Sequence, residues 1–140
     1  MLNNIKSLGL PLFTGAMLSI ASIASACEIP EGWLEMTRDT PGTTKAAIWI
    51  APDAVLLGQP FDIEFLTCDD NATPVNNVTV AATMPAHNHG MNYSPVVTPA
   101  GDNRFKATGM LFHMPGQWRI SLETAGADKT DRFAVEISVK

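Results

Sequence analysis

The three histidines of this chain fall in two short stretches, Met84-Pro85-Ala86-His87-Asn88-His89-Gly90-Met91 and Phe112-His113-Met114-Pro115-Gly116. Met84, Met91, Met110 and Met114 lie in or beside them, and beyond residue 26 only Met36 lies elsewhere. Imidazole nitrogen combined with thioether sulfur suits copper, as Cu(I) or Cu(II), with the softer Cu(I) better matched to sulfur. Three imidazoles would also serve zinc, the runner-up metal. No Asp, Glu, Lys or Arg occurs from Asn71 through Gly101, so calcium and magnesium lack the carboxylate oxygens they need. In an extended chain His87 and His89 point to one side, and both rings can reach one ion. The expected ligand set is therefore His87, His89 and His113, with Met91 or Met114 as a soft fourth donor and Met84 close by. Plainer roles compete. Met84 continues an inward alternation and could be core, because Met fills core gaps readily. Pro115-Gly116 fits a type II turn that His113 and Met114 would merely border. Tyr93 and Trp118 could be ordinary packing aromatics.

The segments that must position these residues read as strands. Phe61, Ile63 and Phe65 recur at every second place in 60–68, and Val78, Val80, Ala82 and Met84 do so in 76–84. Phe105, Ala107 and Gly109 alternate in 104–112, Trp118, Ile120 and Leu122 in 118–124, and Phe133, Val135, Ile137 and Val139 at the end. Period two with polar partners is the half-buried strand pattern. A compact apolar run at 45–51 and a short strand over 93–98 complete the set. Turn chemistry at 99–103 and 125–128 marks hairpins. About seven strands at this spacing predict an immunoglobulin-like antiparallel β-sandwich. Antiparallel order then sends both histidine stretches to one end and Cys68 to the other, roughly 30 Å away for a nine-residue strand. That separation argues against a cupredoxin, which needs a thiolate beside its histidines.

The chain's beginning suggests a compartment. Lys6 precedes an uncharged apolar run that closes on Ala24-Ser25-Ala26, the small-x-small pattern of a signal peptidase site. An uncleaved anchor and a lipoprotein acylated on Cys27 are the alternatives. Cleavage gives a signal peptide over 1–26 and one domain over 27–140, 140 − 26 = 114 residues, of single-domain length. The expected location is the periplasm, with no membrane span after cleavage. Lys6 leaves with the signal, so the remaining charge is 8 − 14 = −6. An acidic chain without a basic stripe makes nucleic acid a poor partner. Cys27 and Cys68, an isolated pair in an oxidising compartment, read as a disulfide.

Residues 84–91 and 112–118, ending in Phe112-His113-Met114-Pro115-Gly116-x-Trp118, resemble the signature of the YtkA-like family of small exported domains, related to FixH-type accessory proteins. The likeness covers roughly residues 60–140. It implies an immunoglobulin-like sandwich and an envelope role linked to copper handling or oxidase assembly. FixH-type members keep a membrane anchor, where Ala24-Ser25-Ala26 suggests release here. An enzyme is the least favoured class: no Ser or Cys nucleophile sits beside a His with an orienting acid, and no carboxylate pair marks an acid–base site. Two functions remain, a copper carrier or chaperone and a metal-free interaction module that docks another envelope protein on the same loops.

Overall fold

The computed structural model describes residues 28–52, 54–69, 75–126 and 129–140; the proposed signal peptide and Cys27 lie outside them. Ten strands form: β1 (Leu34–Glu35), β2 (Thr37–Arg38), β3 (Lys45–Ile50), β4 (Pro60–Cys68), β5 (Asn77–Met84), β6 (His89–Gly90), β7 (Val96–Gly101), β8 (Arg104–Leu111), β9 (Gly116–Ala125) and β10 (Thr130–Val139). They build two five-stranded sheets, in the orders β1-β3-β4-β8-β7 and β2-β10-β9-β5-β6. Every ladder is antiparallel. The chain changes sheet five times: between β1 and β2, β2 and β3, β4 and β5, β6 and β7, and β8 and β9.

The two sheets close because each carries one apolar face. Phe61, Ile63 and Phe65 of β4 meet Val80, Ala82 and Met84 of β5, Trp118, Ile120 and Leu122 of β9 and Phe133 of β10 in one buried core. Burying each large side chain of this kind stabilises by about 1.5–3 kcal/mol. The sandwich is thus the immunoglobulin-like, all-β fold that the alternation predicts. Three of the strands, β1, β2 and β6, are two-residue ladders too short to show in the sequence. The expected strand over 93–98 starts only at Val96. The hairpin between β7 and β8 turns on Asp102 and Asn103, both at positive φ (47° and 56°), the backbone a two-residue type I′ turn needs.

One strand departs from simple alternation. Phe61 pairs with Met110, but Ile63 pairs with Ala107, so β8 holds one residue more than β4 over this stretch. Gly109, at φ 81°, absorbs the extra residue in a β-bulge. Alternation places Gly109 inward with Phe105 and Ala107; instead Gly109 is exposed, and Met110 and Phe112 take the buried positions beyond it.

The end of the sandwich that carries Cys68 is polar and tightly tied. The Arg38 guanidinium of β2 pairs with the buried Asp131 carboxylate of β10 and lies over the Phe133 ring, 5.9 Å from its centroid. Lys129 reaches Asp131 at 3.4 Å, Asp69 at 3.6 Å and the Thr44 hydroxyl at 3.0 Å. Cys68 itself is buried on the outer face of the first sheet with Ala47 and Leu66, under Ile29 and Trp33 of the N-terminal segment.

Candidate functional site

Strand direction brings the two histidine stretches to one end. β4 begins where β8 finishes (Pro60 opposite Leu111), and β5 finishes where β9 begins (Thr83 opposite Arg119). Cys68, opposite Lys45, closes the far end of β4. His89 lies on β6 directly across the ladder from Met84. Residues opposite one another project to the same face, so His89 shares the inward face of Met84. His113 sits on the connection from β8 to β9. The two rings meet edge to face, with centroids 4.6 Å apart and planes at 84°. Their Nε2 atoms approach to 2.5 Å.

An aromatic wall backs the pair. Trp118 is fully buried (0% exposed) and stacks on Phe112 with centroids 4.6 Å apart. The His113 ring stands edge-on to its indole at 5.5 Å, and the His89 ring lies 6.4 Å away. The Trp118 Nε1–H donates to the Met114 carbonyl at 2.9 Å, which fixes both the indole and the loop after His113. The Nδ1 of His113 is buried with no hydrogen-bond partner among the described residues. Buried polar atoms are normally satisfied, yet among the described residues the one polar contact of this ring is at Nε2. Two nitrogens that face each other at this distance cannot both carry a proton, and at least one presents its lone pair.

His87 stands apart. Pro85–His87 form a single 3-10 turn that opens on Pro85, and Asn88 follows in the left-handed region at φ 48°. Pro favours that first position because its fixed φ suits a helical turn. The stretch is therefore not extended, the period-two argument does not apply between His87 and His89, and the His87 side chain is exposed. Among the described residues no three His, Cys, Asp or Glu side chains converge as a metal would require. What converges is a histidine pair with thioethers around it. Met84 is buried (2% exposed). A Cβ on Gly116 would lie 2.8 Å from its methyl carbon Cε, so Gly116 leaves the space this side chain fills. The backbone N–H of Met91 donates to the Ala82 carbonyl at 3.1 Å, which continues the β5–β6 ladder and keeps Met91 half-buried against the core. Met114 packs half-buried on the same core, whereas Met110 is wholly inside it.

Two features of this end were not legible in the sequence. The Gly58 N–H donates to the Phe112 carbonyl at 2.8 Å and so docks the 54–59 loop beside His113. That loop exposes Leu56 and Leu57, and Tyr93 is exposed just beyond Met91. The second is the space that Gly116 leaves for Met84. Adjacent leucines before a glycine give no periodic signal, and a glycine in a turn looks the same whether it serves φ or space.

Fold and site together define a small antiparallel β-sandwich with a histidine- and methionine-lined end. The YtkA-like family matches residues 51–123, more than half of the chain, and the chain belongs to that family. No curated protein matches it. A crystal structure of a DUF4785 family protein from Legionella pneumophila is similar in fold, with a TM-score of 0.51 and 13% identity over 69% of this chain. The match spans only 28% of that longer protein. No helix among the described residues is long and apolar enough to cross a membrane.

Proposed function

We propose that this chain is a copper carrier or chaperone of the bacterial envelope that holds its cargo at the His89–His113 end. The observation that carries the reading is the approach of two Nε2 atoms to 2.5 Å from separate segments, with no other polar contact for the His113 ring among the described residues. Imidazole and thioether donors without a carboxylate favour copper, and zinc is the competing metal. The resemblance of residues 84–91 and 112–118 to a signature related to FixH-type accessory proteins extends the proposal to oxidase assembly. Metal analysis of protein purified from the periplasm, followed by calorimetry in a copper buffer, tests it. His89→Ala and His113→Ala each cost at least about tenfold in affinity, the loss that follows even removal of groups that merely orient a ligand. His87→Ala has little effect. A His89/His113 double alanine variant that binds copper like the parent removes the site.

The same reading includes export and a Cys27–Cys68 disulfide. Cys68 is buried with Ile29, two residues after Cys27, so the bond would fasten the N-terminal segment to the sheet it covers. Closing a loop of 68 − 27 = 41 residue steps stabilises by about 3–4 kcal/mol in the chain-entropy model. Intact mass of the native protein should correspond to a chain that begins at Cys27 and is two hydrogen atoms light; a mass that includes Met1, or two alkylatable thiols, counts against it.

A second reading, a metal-free docking module, is favoured by the exposed Leu56, Leu57 and Tyr93. Partner capture that survives the double alanine variant would favour it.

A further inference from the structure

The geometry points to monovalent copper as the cargo, with the Met84 thioether completing the His89–His113 pair. This inference rests on the copper reading and goes beyond it in oxidation state and ligand set. Divalent copper prefers four nitrogen or oxygen donors in a tetragonal plane, whereas Cu(I) accepts fewer and softer ligands. This end offers two ring nitrogens, and no third His, Cys, Asp or Glu joins them among the described residues. Met84 is the thioether directly opposite His89 on the ladder. Opposed residues stand with Cβ atoms about 4.5–5.5 Å apart, within reach of a common ligand for side chains of this length. Met84 is buried, and the Gly116 backbone leaves room for its methyl end.

The surroundings favour the same valence. Stacked Phe112 and Trp118 close the inner side of the pair with apolar surface. Residues 84–95 and 110–118 include no Asp, Glu, Lys or Arg. A divalent ion would give up water in this setting without gaining compensating charge, and burying uncompensated charge is costly. A monovalent ion gives up less. His87, on its exposed 3-10 turn, is outside the set.

The test is an anaerobic competition of the mature protein against bicinchoninate for Cu(I), paired with an electron paramagnetic resonance titration of Cu(II). Expected is one equivalent of Cu(I), bound at least about tenfold more tightly than Cu(II). Met84→Leu, which keeps volume and hydrophobicity, should weaken Cu(I) at least about tenfold, a loss on the scale of a disturbed ligand shell. It should leave Cu(II) within about twofold and remove the sulfur scatterer from the copper X-ray absorption spectrum. Thermal unfolding checks that the variant is folded; if it is not, a sulfur signal that persists in both Met91→Leu and Met114→Leu assigns the ligand to Met84, and its loss in either overturns the assignment. A tight Cu(II) signal with three or four nitrogens that depends on His87 overturns this inference while leaving copper binding intact. Retention of Cu(I) affinity and the sulfur signal in folded Met84→Leu overturns the ligand assignment. Failure to bind either ion overturns both readings.

Discussion

At the scale of single residues, the proposed site depends on how closely Trp118 and Gly116 hold the His89–His113 pair and Met84. Trp118 is the one tryptophan beside the histidine pair; Trp33 packs near Cys68 at the far end, and Trp49 pairs with Glu64 along β3 and β4. One equivalent of copper should therefore quench a single emission component, and Trp118→Phe should abolish the quenching. If the folded Trp118→Phe protein is still quenched, the ion sits elsewhere. Gly116 has φ 130° and faces the Met84 methyl. Gly116→Ala should cost roughly 1–3 kcal/mol of stability through backbone strain, and it should also displace Met84 and lower Cu(I) affinity. Gly109→Ala provides the contrast: its φ is 81° but nothing lies within 4 Å of an added Cβ. It should cost roughly 1–2 kcal/mol and leave the metal untouched. Chemical denaturation and the bicinchoninate competition separate the two variants.

At the scale of strands, the sequence was legible wherever one face is apolar and the other polar. β4, β5, β9 and β10 lie where their alternation places them, because slipping a strand by one residue would expose its whole apolar set. Alternation in β8 failed at Gly109, since a bulge adds a residue without changing composition. β1, β2 and β6 are too short to repeat a period, and tertiary pairing alone creates them. The same limits shaped the reading of the site. Counting strand directions was enough to place both histidine stretches at one end. It could not tell that Pro85 would start a 3-10 turn and carry His87 out of line with His89. Nor could it tell that β6 would set His89 against Met84. Both depend on backbone dihedrals over three or four residues, and Asn88 at positive φ decides them.

At the scale of the molecule, the two ends of the sandwich do different things. The Cys68 end carries the fold's buried charge. Burial alone would push the Asp131 carboxyl up, but the Arg38 hydrogen bond and the charges of Arg38 and Lys129 outweigh it and hold the group below the usual carboxylate range. A group depressed in the folded state contributes stability that is present above its unfolded value, about 3.9 for Asp. That contribution is lost as pH falls through the lower folded value. Asp131→Asn leaves the Arg38 charge buried without its partner and should cost roughly 3–5 kcal/mol at neutral pH. The variant should also lose less stability than the parent between neutral and strongly acid pH, which urea unfolding across that range will measure. The other end joins the sheets. His89 belongs to the second sheet, and His113 lies on the connection that leaves the first. On the copper reading, an ion held by both binds only the closed sandwich and adds about 2.7 kcal/mol at a hundredfold excess over its dissociation constant. Envelope proteases cut chains that have opened, so the population they reach falls about a hundredfold when cargo is bound. Copper-starved cells should therefore clear this protein faster than replete ones, and its half-life in a pulse-chase would track copper supply without a dedicated regulator.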